Sequence, residues 1–145
     1  MNIRLNKYLY LLINVFLPIL FGLTIYLIYR SEQLFIFNWL SQLGLGDYLY
    51  CLRKDFFLSS NAPFWFKYNF PDGLWIYSFS SLMIFIWRKE INKKNYFWFF
   101  LWPSIACFTE LLQFLNLFPG TYDFMDIVFY AIFGSLPILF FLIND

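Results

Sequence analysis

Long apolar stretches with almost no charge dominate this sequence and leave few folds open to it. The first covers residues 9–29 without a single charged side chain, and about 20 apolar residues are enough to cross the hydrocarbon core of a bilayer. Of the 145 residues, 61% are apolar and only 13% are charged, whereas soluble domains carry about 25% charged residues. The chain is therefore predicted to be an integral membrane protein.

Four apolar stretches predict an all-α, polytopic membrane protein built as a four-helix transmembrane bundle. They lie at residues 8–29, 72–87, 96–118 and 123–143. The first stretch begins like a signal peptide, but no small-residue cleavage site follows it, so we expect a retained helix. The length suits one domain, and we expect residues 1–145 to form a single transmembrane domain.

The connection at residues 31–70 predicts two short amphipathic helices between the first and second spans. Leu34, Phe37 and Leu40 fall near one helical face, and Asp47 follows a glycine-rich break and is placed to start a second helix. Such helices commonly lie in the membrane interface. Packing over the bundle as a lid is the alternative, and the sequence leaves both open.

The distribution of basic residues indicates which side of the membrane each connection faces. Cytoplasmic loops carry an excess of Lys and Arg, and the expected topology places six on the side of the termini and four on the other. Both termini are therefore predicted to be cytoplasmic. The six are Arg4, Lys7, Arg88, Lys89, Lys93 and Lys94, and the four are Arg30, Arg53, Lys54 and Lys67.

Acidic and amide side chains interrupt the last two predicted spans. Glu110 lies eight residues before the expected helix end at Phe118, about 12 Å below it, and Gln113 is on the same face. A carboxylate at that depth costs at least a few kcal/mol, so it should face the protein interior or a wet cavity. The tight connection brings the pair to Asp123 and Asp126 at the start of the next helix.

Asp72 opens the second span at the same level, which makes it a further candidate binding residue. Helix capping is the alternative for Asp72, and also for Asp123 with Asp126, because carboxylates are favoured at helix N-termini. Glu110 lies inside a helix, and its alternative is a protonated carboxyl hydrogen-bonded to a neighbouring helix. Trp75 and Tyr77 are candidate binding residues whose alternative is an ordinary interfacial position.

The composition also limits the chemistry. The absence of histidine excludes a Ser-His-Asp triad and His-ligated zinc, and a net charge of +1 gives no electrostatic case for nucleic-acid binding. Oxygen-bearing side chains favour Mg²⁺ or Ca²⁺ over zinc, but no motif specifies a metal. We therefore expect neither a metal nor a cofactor.

The stretch "TELLQFLNLFPGTYDFMDIVFYAIFG" resembles the VanZ-like family of small bacterial membrane proteins, named after a teicoplanin-resistance accessory protein. The resemblance rests on Glu110 and Gln113, a turn, an Asp-containing start to the last helix, and Gly134. It covers about a fifth of the chain. It implies a four- to five-helix, multi-pass protein of the bacterial cytoplasmic (inner) membrane.

The chain departs from the family pattern at two positions beside the acids. Members often carry Arg shortly before the Asp and Asn about one turn after it, where this chain has Thr121 and Tyr130. A counter-charge for the acids would then have to come from the long connection, with Arg53, Lys54 and Lys67 as the candidates.

Three functions are compatible with these patterns. In the first, an outward-facing acidic pocket binds an envelope lipid, a lipid-linked precursor or a lipoglycopeptide antibiotic. In the second, Glu110 or Asp126 is the catalytic general acid or base of an enzyme acting on a lipid head group, with or without a divalent metal. In the third, the chain is a structural or regulatory subunit whose polar groups pair with a partner membrane protein. The first is the function that we expect.

Overall fold

The structure is a computed structural model, and all regular secondary structure in its described part is helical. This confirms the all-α prediction for that part of the chain. The structure describes residues 7–32, 34–59, 62–87, 92 and 94–144, with side chains left out at 55–59 and 141–144.

Four long helices and three short ones make up the described ranges. A π-helical turn at Leu12–Phe16 interrupts the first long helix. The helices are α1 (Lys7–Tyr29), α2 (Phe35–Gln42), α3 (Gly46–Ser59), α4 (Phe64–Tyr68), α5 (Phe70–Ile86), α6 (Tyr96–Phe114) and α7 (Phe124–Asn144).

Among the described residues, α1 and α6 are long and apolar enough to cross a membrane. They contain 23 and 19 residues, with mean hydropathies of 2.4 and 1.2. Helix α5 and the segment Phe124–Phe140 of α7 are apolar but shorter. By length and composition, two of the four expected spans therefore qualify as membrane-crossing helices.

Helix α6 ends at Phe114, four residues before the end expected from the apolar pattern. The backbone turns away at Asn116, which has a left-handed φ of 56°. The Leu117 N–H donates back to the Leu112 carbonyl at 2.9 Å, and this bond closes the helix end as a left-handed residue commonly does. Because apolar residues continue past the turn, the prediction from the sequence placed the helix end too late.

Helix α5 is the central element, because it packs against α1, α6 and, most extensively, α7. Small residues permit the close approaches. A Cβ on Gly22 would lie 2.8 Å from Trp75 Nε1 and 3.2 Å from the Pro71 backbone oxygen. Ser78, on α5, is completely buried.

Large apolar side chains cover the outside of the bundle, whereas small and polar side chains fill much of the inside. The fully buried side chains include several polar ones: Asn69, Ser78, Ser80, Ser81 and Asn95. By contrast, Phe16, Leu20, Phe100, Phe108 and Leu111 are exposed. The bundle therefore buries an unusual number of polar side chains and leaves a large apolar surface uncovered.

The connection between α1 and α5 contains the two expected short helices, α2 and α3, separated near Gly44, and additionally α4. Helix α3 packs on α1. Arg53 Nη1 donates to the Leu27 carbonyl at 2.6 Å and its Nη2 to the Arg30 carbonyl at 2.8 Å. These bonds satisfy carbonyls at the end of α1, so this segment rests on the end of the bundle.

Four of the basic residues behind the expected orientation lie outside the described residues. They are Arg4, Arg88, Lys89 and Lys93. The topology therefore stays a prediction from the sequence.

Replacing Gly22 by valine is expected to lower the free energy of unfolding by about 2 kcal/mol, because overpacking forces α1 and α5 apart. Thermal unfolding in detergent measures this loss. Leu20→Val is the control, since Leu20 lies on the exposed face of the same helix and should change stability by less than about 0.5 kcal/mol. Equal losses in the two variants would show that the close contact at Gly22 does not determine the stability of the bundle.

Candidate functional site

Four helix termini meet at one end of the bundle: the end of α1, the start of α5, the end of α6 and the start of α7. Hydrogen bonds and an ion pair between residues far apart in the chain establish this convergence. Four carboxyl groups lie there, and we refer to them as the acidic cluster: Asp72, Glu110, Asp123 and Asp126.

Glu110 is buried in the acidic cluster, with 4% of its surface exposed. Its Oε2 accepts the backbone N–H of Asp123 at 3.1 Å, which ties the end of α6 to the start of α7. Because α6 ends at Phe114, the carboxyl lies only about 6 Å below the helix end, not the expected 12 Å. This smaller depth places Glu110 one turn from the end of the bundle.

Asn69 holds the acidic cluster together from the start of α5. It is 1% exposed, and its Nδ2 donates to Asp123 Oδ2 and to Asp126 Oδ1, both at 2.8 Å. Bonds to ionised acceptors are the stronger class of hydrogen bond. The other end of the carboxamide, Oδ1, is buried and has no hydrogen-bond partner among the described residues.

The sequence patterns did not single out Asn69 as a site residue. An asparagine directly before a phenylalanine–proline pair has the pattern of a helix N-cap, and that was the only local signal. The structure shows no capping hydrogen bond from this side chain. Its amide instead reaches across to α7.

Asp123 caps α7, as the alternative interpretation of this residue predicts. Its Oδ1 accepts the Met125 N–H at 2.9 Å. A reciprocal capping box would need Asp126 to accept the Asp123 N–H. The Asp123 N–H donates to Glu110 Oε2 instead, and Asp126 accepts a hydrogen bond from Asn69 Nδ2. The two aspartates therefore act at the junction between helices as well as at the cap.

Arg30 supplies the positive charge beside the acids, a role that the sequence patterns assigned to other basic residues. Its Nη2 lies 3.3 Å from Asp72 Oδ2 and donates to the Tyr68 carbonyl at 3.2 Å. The guanidinium is packed against the rings of Tyr26 and Tyr68, 5.4 and 5.2 Å from their centroids. Its Nε is buried, and no residue in the described ranges accepts a hydrogen bond from it.

The basic residues expected to provide that charge are placed differently where the structure shows their contacts. Arg53 binds the carbonyls at the end of α1 and lies 3.4 Å from Glu32. The ammonium of Lys67 lies 5.3 Å from the centroid of the Tyr29 ring.

Tyr130 is a further residue of the site that the sequence patterns did not single out. It is buried on α7, one turn after Asp126. Its phenol is within electrostatic range of the carboxyls of Asp72, Asp126 and Glu110. Tyr130 is therefore a buried phenol in the neighbourhood of the acidic cluster.

The contacts that the structure shows for three other expected site residues are with groups outside the acidic cluster. The Gln113 side chain covers Gly120 (φ 133°), where an added Cβ would lie 2.6 Å from its Nε2. Trp75 packs on Tyr26, with ring centroids 5.5 Å apart. Tyr77 donates its hydroxyl to Asn14 Oδ1 at 2.8 Å, in the π-helical turn of α1.

The arrangement combines four carboxyls and one guanidinium with two unpartnered buried atoms, an acceptor on Asn69 and a donor on Arg30. Carboxylates accept hydrogen bonds from ammonium and hydroxyl groups. No group of three or more acidic or cysteine side chains within the described ranges is arranged as a metal site. The chemistry that this geometry offers is recognition of a polar group rich in hydrogen-bond donors.

Comparisons with protein-family models, with curated proteins and with solved structures found no match for this chain.

Proposed function

We propose that this chain is a four-helix membrane protein of the VanZ-like type that binds a polar head group at the acidic cluster. The ligand is an envelope lipid, a lipid-linked precursor or a lipoglycopeptide. The observation that carries the proposal is Glu110, a buried carboxyl in an apolar helix that faces two further acids.

The placement of apolar side chains supports a position inside the bilayer. Phenylalanines and leucines on α1 and α6 are exposed, whereas serines and asparagines are buried inside the bundle. This arrangement suits a bilayer, because apolar side chains face the lipid chains. In this setting α5 and α7 also cross, as the central helix and its main packing partner. Shorter spans of this kind are accommodated by local thinning of the bilayer or by tilt of the neighbouring helices.

The depth of the acidic cluster supports head-group binding. Glu110 lies about 6 Å below the end of α6, and Asp123 begins α7 at the same end. Asp123 and Asp126 are only partly buried. A polar group entering from the head-group region therefore meets carboxylates before it meets the apolar interior.

The proposed orientation keeps the termini in the cytoplasm and the acidic cluster facing outward. The excess of basic residues on the side of the termini supports it. In this orientation α2, α3 and α4 lie at the outer membrane–water interface, with α3 and α4 packed on the bundle end that carries the cluster.

Mass spectrometry of co-purifying lipids tests the proposal. Wild-type protein is expected to retain a specific lipid class that the Glu110→Gln variant loses, because the amide keeps the shape of the side chain but removes its negative charge. Glu32→Gln is the matched control. Glu32 is an exposed carboxyl that pairs with Arg53 at 3.4 Å and is not one of the four acids of the cluster, so the same chemical change there should leave the lipid profile unaltered.

The same bulk lipids on wild type and on Glu110→Gln would contradict the proposal. In that case Glu110 would serve the fold alone, and a partner subunit would become the better hypothesis. Turnover of an added head group by wild-type protein that is lost in Glu110→Gln would favour the enzyme instead.

A further inference from the structure

We infer that the head group recognised at the acidic cluster is zwitterionic, with a primary ammonium next to Asp123 and Asp126 and a phosphate next to Arg30. The inference rests on the proposed function and narrows its ligand to phosphoethanolamine-type chemistry. Two unpartnered buried atoms of opposite character, the Asn69 acceptor and the Arg30 donor, carry it.

The acidic end of the site lacks a donor. The Asn69 amide donates to Asp123 and to Asp126, and its Oδ1 is left buried without a partner. An unpaired buried acceptor is destabilising, so this end is suited to a group with several N–H donors. A primary ammonium has three donors and a positive charge that matches the two aspartates.

The other end of the site lacks an acceptor. Arg30 contacts both Tyr68 and Asp72 through Nη2, and its Nε is buried without a partner. The rings of Tyr26 and Tyr68 lie on the guanidinium and fix its position. A fixed guanidinium edge matches the paired oxygens of a phosphate, which arginine binds in a bidentate manner.

The two ends are adjacent, because Arg30 Nη2 donates to the carbonyl of Tyr68, the residue directly before Asn69, and to Asp72 three residues after it. A purely anionic head group would meet the repulsion of the acidic cluster. A quaternary ammonium has no N–H to donate and is recognised by free aromatic faces, whereas the rings of Tyr26 and Tyr68 already lie against Arg30. The opposite charges of phosphoethanolamine match both ends.

Titration of the full chain in detergent with water-soluble, short-chain phospholipids tests the inference. Phosphatidylethanolamine is expected to bind at least about tenfold more tightly than phosphatidylcholine or phosphatidylglycerol, which is the range of one charge-assisted hydrogen bond. Phosphatidylcholine removes the N–H donors and phosphatidylglycerol removes the positive charge. Calorimetry or native mass spectrometry gives the affinities.

Arg30→Gln is expected to weaken phosphatidylethanolamine binding about tenfold. Arg30→Lys keeps the positive charge and should weaken binding less, and it replaces the glutamine variant if that variant fails to fold. Glu32→Gln serves again as the unaffected control. Equal affinity for the three lipids, with all three weakened by Glu110→Gln, would overturn the inference and leave the head-group site standing. If none of the three lipids binds and the co-purifying lipids are unchanged in Glu110→Gln, both the inference and the proposed head-group site are overturned.

Discussion

Replacing Asn69 by leucine is expected to lower the free energy of unfolding by about 3 kcal/mol, because a single buried carboxamide joins α5 to two carboxylates of α7. Its Nδ2 lies 2.8 Å from both Asp123 and Asp126, and hydrogen bonds to charged groups contribute about 1.5–3 kcal/mol each. Leucine leaves no cavity, but it is larger than asparagine, so overpacking contributes to the measured loss. Reversible unfolding in detergent measures it.

A double-mutant cycle with Asp126→Asn separates this contact from general damage to the fold. If Asn69 acts through Asp126, the two losses should be coupled by about 1–3 kcal/mol. Asn38→Leu is the control, since Asn38 is exposed on α2 and its loss should stay within about 0.5 kcal/mol. Additive losses at Asn69 and Asp126 would mean that the carboxamide does not join the two helices.

The helices of the bundle could be predicted because long, uncharged apolar stretches are a simple pattern to recognise. Residues 8–29 and 72–87 were expected, and Lys7–Tyr29 and Phe70–Ile86 are observed. The end of α6 could not be predicted in the same way, since apolar residues continue past Phe114. Only the left-handed backbone at Asn116 ends the helix, and asparagine adopts that conformation in some contexts and not in others.

The acids of the candidate site could be predicted because a carboxyl in an apolar helix is costly and therefore conspicuous. Asn69 and Arg30 could not. Their partners lie 54 and 42 residues further along the chain, and no period or spacing connects them. Both residues lie in short polar segments at helix ends, where capping and solvation are ordinary explanations.

Glu110 combines a structural role with the binding role that we propose for it. The sequence offers no local reason for a carboxyl inside a helix, and this absence pointed to function. The structure adds a tertiary reason, because the carboxyl accepts the N–H of Asp123 and so fixes the turn between α6 and α7. Loss of the ligand in an alanine variant alone therefore does not separate binding from folding. Two substitutions of Glu110, to alanine and to glutamine, separate them.

Glu110→Ala and Glu110→Gln are expected to have different effects on stability and the same effect on binding. Alanine removes the acceptor of the Asp123 N–H and leaves a cavity, which should cost about 2–3 kcal/mol. Glutamine retains an acceptor oxygen and removes the repulsion from Asp126 and Asp123, so its stability should equal the wild type or exceed it by up to about 1 kcal/mol. Both variants should lose the ligand, because both lose the charge.

Unfolding in detergent and lipid retention, measured on the same samples, test this separation. Leu111→Ala is the control for truncation, since the neighbouring Leu111 is exposed on α6 and should cost less than the buried Glu110→Ala change. If Glu110→Gln were as unstable as Glu110→Ala, the negative charge itself would hold the turn, and the buried carboxyl would be accounted for by the fold. If Glu110→Gln were stable and still retained the ligand, the hydrogen bond would account for Glu110, and the ligand would depend on Asp123, Asp126 and Arg30 instead.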